Sequence, residues 1–226
     1  MRLAAVVAAS LVIAGCSHAT GGHSEPTGGT TPPPAGAPGS KAPGSAAAPA
    51  AGAAISDVIA WIEAAHPADP GRFHTATRDG ATTPLGDDIA LTAATGKVSC
   101  MTDAKHTGGA LTCLVTLTNP PPAPATAYGT WQGGWISFDG VNLQVGSARA
   151  DPGPFVNGNG PELANGESLS LGEYRCRADP SGLYCVNYAH QSAAGFTPAG
   201  IEPFGCLKPA PPPDGVGTAF SCAGPP

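Results

Sequence analysis

The cysteine content constrains this chain more than any other feature of its sequence. Seven cysteines occur in 226 residues, and they fall into two groups. Cys16 stands alone at the end of an apolar N-terminal segment, whereas the others lie between residues 100 and 222. An even number of cysteines in an exported chain indicates a disulfide framework. The odd total is explained if Cys16 forms no disulfide and the six cysteines that follow it pair with one another.

The N-terminal segment has the features of a bacterial export signal. Arg2 gives it a positive start, and residues 3–14 are apolar apart from one serine. This run is short for a membrane span. It ends in Ile-Ala-Gly-Cys16, which resembles the cleavage motif of bacterial lipoproteins, the lipobox. The resemblance implies that residues 1–15 are a signal peptide, that Cys16 carries a diacylglyceryl thioether, and that an acyl group such as palmitate caps the new N-terminus.

Residues 16–54 are predicted to be the lipidated cysteine followed by a disordered tether. Within 17–54, all but four of the 38 residues are Gly, Pro, Ala, Ser or Thr, a composition that cannot offset the entropy cost of folding. Without residues 1–15 the formal net charge is −7, and no basic cluster stands out. We therefore expect no nucleic-acid partner and no attraction to anionic headgroups. The lipid on Cys16 is the predicted contact with the outer face of the plasma membrane.

Residues 55–226 are predicted to form a single, mainly β domain with one N-terminal amphipathic helix. Residues 55–66 place apolar side chains at the spacing of one helix face. Downstream, short alternating segments separated by Gly, Pro, Asn and Asp predict strands. These segments are 88–93, 97–102, 110–117, 130–138, 141–148, 168–178 and 182–189, with 150–167 as a long loop. This spacing favours an antiparallel sandwich or a small barrel.

Two segments with matching cysteines predict hairpins stapled by disulfides. GKVSCMTD at 96–103 is followed by GALTC, which ends at Cys113, and GEYRCRAD at 172–179 is followed by GLYC, which ends at Cys185. Cysteines that face each other on neighbouring strands meet the distance that a disulfide requires. We therefore predict the pairs Cys100–Cys113 and Cys176–Cys185, and Cys206–Cys222 follows by elimination. An internal duplication would explain the match, and so would two independent hairpins.

No metal or cofactor is predicted. Structural zinc favours close cysteine pairs, whereas the separations here are longer and the compartment is oxidising. Loop 150–167 does contain oxygen ligands of the kind that Ca²⁺ prefers, at Asp151, Asn157, Asn159 and Glu162. Their spacing is not that of an EF-hand, and turn chemistry explains Asn and Asp in a loop equally well.

Several segments resemble the mycobacterial LppI-type lipoproteins. Besides the lipobox and the tether, they are TRDGATTPLGDD at 77–88, GKVSCMTD at 96–103, FVNGNGPELANGESL at 155–169 and GLYCVNYAHQSAAGFTPAGIEPFGC at 182–206. The resemblance implies a cell-envelope lipoprotein of unassigned activity. It carries over only Cys16 as a functional residue.

Enzymatic chemistry has weak support in the sequence. Motifs for metalloproteases, serine hydrolases, P-loop proteins and dinucleotide-binding proteins do not occur. His190 and Ser192 would share one face of a strand, but a hydrolase also needs an orienting acid and an oxyanion hole. Asp87 and Asp88 are adjacent, so on a strand they point to opposite faces. An envelope hydrolase using His190 or a carboxylate pair is the alternative function, and a cleft joining His190 to a hydroxyl and a carboxylate would favour it.

The segment TWQGGWISF at 130–138 is the best candidate for ligand binding. On a regular strand Trp131 and Trp135 share one face, with two glycines between them. Tryptophans beside glycine suit stacking on a sugar ring, although tryptophan more often packs in a core. We predict a non-enzymatic module that binds an envelope glycan, lipid or protein partner. A purely structural spacer would instead have no sizeable concave pocket.

Overall fold

The computed structural model describes residues 47–222, which contain two helices, two 3-10 turns and fifteen strands. The predicted lipidation site Cys16 and most of the predicted tether lie outside the described residues. The helices are α1 (Ile55–Glu63) and α2 (Ala104–Thr107), and the 3-10 turns are Pro70–Phe73 and Gly153–Asn157. The strands are β1 (His66–Pro67), β2 (Thr75–Arg78), β3 (Ala81–Pro84), β4 (Ala90–Ala93), β5 (Val98–Met101), β6 (Leu111–Val115), β7 (Thr130–Phe138), β8 (Asn142–Arg149), β9 (Glu167–Leu171), β10 (Tyr174–Asp179), β11 (Gly182–Asn187), β12 (Ser192–Thr197), β13 (Gly200–Gly205), β14 (Lys208–Ala210) and β15 (Val216–Ser221).

Two large sheets pack face to face as a sandwich. The six-stranded sheet has the order β1-β9-β10-β11-β12-β13, and the seven-stranded sheet has the order β14-β15-β8-β7-β6-β5-β4. Strands β2 and β3 form a separate two-stranded ladder. The predicted mainly β, disulfide-bonded fold is confirmed, and of the two predicted architectures the sandwich is observed and the closed barrel is not.

Each large sheet is built around a meander of five consecutive strands. The meander β4–β8 lies in the seven-stranded sheet and β9–β13 lies in the six-stranded sheet. In each meander the second and third strands carry cysteines directly opposite each other, Cys100 with Cys113 and Cys176 with Cys185. The segments that share a cysteine pattern therefore occupy equivalent places in two equivalent meanders.

All three disulfides pair as the sequence predicts. Cys100–Cys113 and Cys176–Cys185 have S–S distances of 2.03 and 2.06 Å, and all four residues are fully buried in one core between the sheets. Cys206–Cys222 is half-buried and joins the ends of β13 and β15. It thereby links one large sheet to the other, whereas the core pairs each lie within one sheet.

The strand predictions fail where turns are short or residues are small. The segment predicted as one strand at 168–178 is two strands, β9 and β10, because the chain reverses at Gly172, whose φ is 54°. Strands β1–β3 and β12–β15 lie outside the predicted segments, and the sequence of β12, SAAGFT, lacks a strong alternation. Strand β13 contains Pro203, which is tolerated because β13 is the outermost strand of its sheet.

Helix α1 covers the outer face of the six-stranded sheet. Its buried side chains Val58, Trp61 and Ile62 pack against Tyr184 and Val186. The helix therefore uses the apolar face that the spacing of residues 55–66 predicts. The outer face of the seven-stranded sheet carries no such helix within residues 47–222.

Tyr174 gives the domain a predictable response to alkaline pH. Its hydroxyl donates a hydrogen bond of 3.0 Å to the carbonyl oxygen of Phe138, which joins the two sheets. Burial raises the pKa of Tyr174 to about 12, so the neutral phenol is favoured in the folded state. The corresponding stability is present below about pH 10, the pKa of an unfolded tyrosine, and is lost as the pH rises through about 12. Denaturant unfolding across this range should show the loss, and Tyr174→Phe should abolish that part of the pH dependence.

Candidate functional site: a polar groove on the seven-stranded sheet

A groove of about 730 Å³ lies on the outer face of the seven-stranded sheet. Its floor contains a row of four side chains at the same register on four adjacent strands. Met101 is opposite Thr112, Thr112 is opposite Ser137, and Ser137 is opposite Gln144. The adjacent row, which includes Cys113 and the residues opposite it, points into the core. The strand alternation thus presents three polar side chains to the groove.

Two polar groups of the floor, those of Ser137 and Gln144, are open to a ligand. Neither the Ser137 hydroxyl nor the Gln144 amide hydrogen-bonds to another protein group within residues 47–222. Both residues are half-buried and line the groove. Polar groups in such a position bind water or a ligand, because leaving them unpaired is costly. The floor therefore offers donors and acceptors that the fold does not use.

One end of the groove is formed by Arg149 and Trp135. The guanidinium carbon of Arg149 lies 4.1 Å from the centre of the Trp135 ring, and Phe155 packs against Trp135 edge to face at 5.6 Å. Arg149 Nη2 is 3.6 Å from Asp151 Oδ1, while Arg149 Nε is buried without a hydrogen-bond partner in the described part of the chain. Trp135 is only 6 % exposed. The Trp135 ring therefore supports the Arg149 guanidinium at the end of the groove.

The opposite wall is acidic and comes from the segment around α2. Asp88 accepts hydrogen bonds from Thr102 Oγ1 at 3.0 Å and from Ala104 N at 2.9 Å. Asp103 caps α2 through the backbone N–H of His106 and also contacts the His106 ring at 2.8 Å. With Asp151 at the other end, the groove has three carboxylates and one arginine. The carboxylates that line the groove outnumber its cationic side chains, so its local charge is negative.

The equivalent face of the other sheet is covered rather than open. Its matching row is Arg177, Tyr184, Gly195 and Glu202, as the strand registers show. There, Trp61 from α1 lies 3.8 Å from the Arg177 guanidinium carbon and 5.1 Å from the Tyr184 ring. Because the groove floor has small polar side chains where the other sheet has this aromatic packing, it is not shaped to receive a second helix of the α1 type.

The two tryptophans that the sequence predicts on one strand face, Trp131 and Trp135, lie in different surroundings. Trp135 lines the groove, whereas Trp131 donates its indole N–H to the Pro121 carbonyl at 3.1 Å and its ring packs over Gly146. The strand between them is irregular, since the register with β8 shifts between Gln132 and Ile136. The condition for a shared face, a regular strand, is therefore not met.

The residues of the alternative hydrolase are not assembled. Ser192 is fully buried and donates its hydroxyl to the Gly140 carbonyl. His190 is exposed, and within residues 47–222 its ring makes no hydrogen bond to a hydroxyl or carboxylate. Asp88 is engaged by Thr102 and Ala104, while Asp87 is exposed. This geometry does not favour the hydrolase.

Two of the four candidate oxygen ligands of loop 150–167, Asp151 and Asn159, form side-chain hydrogen bonds within the fold. Asp151 Oδ1 accepts from the backbone N–H of Gly153 at 2.8 Å, and Asn159 Oδ1 accepts from Ser99 Oγ at 2.8 Å. Among residues 47–222, no three His, Cys, Asp or Glu side chains are grouped so that they could hold a metal ion. These contacts agree with turn and capping roles for the loop.

Four of the candidate residues from the sequence line the groove, namely Asp88, Trp135, Asp151 and Asn157, but the floor was missed. The sequence indicates only that the polar floor residues occupy outward positions of alternating strands; they are Thr112, Ser137 and Gln144.

No helix within residues 47–222 is long and apolar enough to cross a membrane. No protein-family model matches the chain, and neither a curated protein nor a solved structure matches it. Function must therefore be inferred from the groove and the sequence.

Proposed function

We propose that the protein is a lipid-anchored envelope lipoprotein, of the LppI type that its sequence resembles, whose groove binds a polar envelope component without chemical turnover. The observation that carries this proposal is the floor row, whose Ser137 and Gln144 side chains are unused by the fold. The groove volume of about 730 Å³ is within the range of about 300–1,000 Å³ typical of small-molecule sites. A spacer without a binding role would not need such a cavity.

The chain enters the domain on the face opposite the groove. Ala48 and Ala53, which precede α1, pack with the helix against the outer face of the six-stranded sheet. The groove is on the outer face of the other sheet. Because packed sheets are about 10 Å apart, the whole sandwich separates the groove from the point where the tether joins the domain. The segment that leads into α1 therefore leaves the groove uncovered.

The anchor is tested by Cys16→Ser. We expect this variant to move from the membrane fraction to the aqueous fraction, because it removes the thiol that would carry the lipid. Mass spectrometry of the native protein should show a lipid-modified N-terminus at residue 16. Unchanged membrane retention of the variant, or an intact N-terminal leader on the mature protein, would contradict the anchor.

The binding role is tested by filling the groove. Full-length lipoprotein in detergent micelles is incubated with water-soluble envelope extract, and retained molecules are identified by mass spectrometry. Ser137→Trp should abolish retention, since an indole on the floor occupies the groove. Ser170→Trp is the matched control, because Ser170 is exposed on the other sheet. Equal retention by both variants, or none by the native protein, would refute the groove as the binding site.

A further inference from the structure

We infer that the ligand of the groove is an uncharged segment of oligosaccharide, an inference that rests on the proposed binding function. Its hydroxyl groups would be bound by the floor row and by Arg149. The inference is carried by three properties of the groove: the chemistry of its floor, the sign of its charge, and the way in which its arginine is held.

The floor matches hydroxyl groups better than other ligand chemistry. The half-buried Ser137 hydroxyl and Gln144 amide each offer both a donor and an acceptor, whereas Thr112 is 2 % exposed. A sugar hydroxyl also donates and accepts, so both accessible floor groups can be paired. Neighbouring strands are about 4.8 Å apart, a distance comparable to the width of a sugar ring. A run of sugar units can therefore lie across β7 and β8 and meet one accessible polar side chain on each strand.

An acyl chain or an apolar helix fits the floor poorly. Either would cover Ser137 and Gln144 without providing hydrogen bonds, and a buried unpaired polar group costs free energy. The covered face of the other sheet shows what an apolar partner requires, since α1 packs there against Tyr184, Val186 and Phe204. The groove lacks an equivalent apolar surface in its floor row.

The charge of the groove disfavours an anionic ligand. Asp88, Asp103 and Asp151 line it, with Arg149 as the one arginine. Phosphate, sulfate or uronate groups would meet more negative than positive charge at short range, where screening by salt is weak. Carboxylates at these positions can still accept hydrogen bonds from neutral hydroxyls. An uncharged saccharide can hydrogen-bond to the carboxylates and to Arg149 without electrostatic repulsion.

Arg149 is fixed in a way that suits recognition of neutral oxygen atoms. Its guanidinium rests on Trp135, with its carbon 4.1 Å from the ring centre, and Asp151 lies 3.6 Å from Nη2. These contacts hold the planar donor group in one orientation, so less side-chain entropy is lost on binding. The remaining Nη N–H donors can bind sugar oxygens at the end of the groove.

The inference is tested with oligosaccharides released from the envelope and separated by charge. Ion exchange divides them into neutral, anionic and cationic pools, and binding of each pool to the full-length lipoprotein in micelles is measured by calorimetry. We expect the neutral pool to bind and the anionic pool to bind at least about tenfold more weakly. Ser137→Ala and Gln144→Ala should each weaken binding of the neutral pool about tenfold, the effect of losing one or two hydrogen bonds.

Gln132→Ala is the matched control, because Gln132 is an exposed glutamine of β7 that does not line the groove. It should leave affinity unchanged, and circular dichroism checks that each variant is folded. Preferential binding of a charged pool, or of an envelope peptide, would overturn the ligand class. If extract is retained through the groove but no neutral pool binds, this inference fails and the proposed function stands. If Ser137→Trp retains extract as the native protein does, the proposed function fails as well.

Discussion

Replacing Cys176 and Cys185 together with alanine is expected to lower the free energy of unfolding by about 3–4 kcal/mol. Loss of the cross-link restores loop-closure entropy to the unfolded chain, which accounts for about 3 kcal/mol at this loop length. The pair is also fully buried among apolar side chains. Removing two sulfur atoms there leaves a small cavity, which adds about 1 kcal/mol.

The same change at Cys100 and Cys113 should have a similar cost, because this pair occupies the equivalent place in the other meander. Losing both core pairs would remove about 6–8 kcal/mol, which is comparable to the whole stability of a typical domain. We expect the fourfold variant to lose cooperative unfolding. Denaturant titrations followed by near-UV circular dichroism measure both effects.

The control is replacement of Cys206 and Cys222 with alanine. This disulfide closes a loop of sequence separation 16, so the entropy contribution alone predicts a cost at least as large as that of the core pairs. It is half-buried, however, and leaves a smaller cavity. If replacing a core pair lowers the free energy of unfolding no more than replacing Cys206 and Cys222 does, buried packing does not add to the effect of the core disulfides.

Local sequence rules predicted the parts of the fold that depend on contacts between residues close in sequence or on neighbouring strands. The segments predicted at 130–138 and 141–148 form the paired strands β7 and β8, and the cysteine spacing places each core pair on adjacent strands. Helix α1 follows from the spacing of its apolar residues. In each case the pattern and the contact lie within a few residues or on neighbouring strands.

The groove depends on long-range packing, which explains why its floor was missed. Alternation shows that Ser137 and Gln144 point away from the core, but not whether that outer face is covered. Alternation also places Tyr184 on the outer face of its sheet, but that face is covered by α1, which lies far earlier in the chain. The bulge that separates Trp131 from Trp135 also depends on pairing with β8. Only the arrangement of whole elements distinguishes an open face from a buried one.

Trp61→Ala should have the largest effect of any single substitution in α1. The Trp61 side chain is 7 % exposed and lies between the helix, Arg177 and the Tyr184 ring. Arg177 is 2 % exposed, so its charge is poorly solvated, and this burial lowers the pKa of Arg177 from its ordinary value. Removing the ring creates a cavity beside this cation. We expect the free energy of unfolding to fall by about 3–5 kcal/mol.

Trp61→Phe is the conservative variant and should recover more than half of this loss, because phenylalanine keeps an aromatic face toward Arg177. Trp131→Ala is the matched control, since Trp131 is only half-buried and packs on Pro121 in a surface loop. Its cost should be clearly smaller than that of Trp61→Ala. Arg177→Met tests the coupling, because methionine fills much of the same space without a charge. In a double-mutant cycle the two substitutions should be non-additive, and additive effects would show that the ring and the cation stabilise α1 independently.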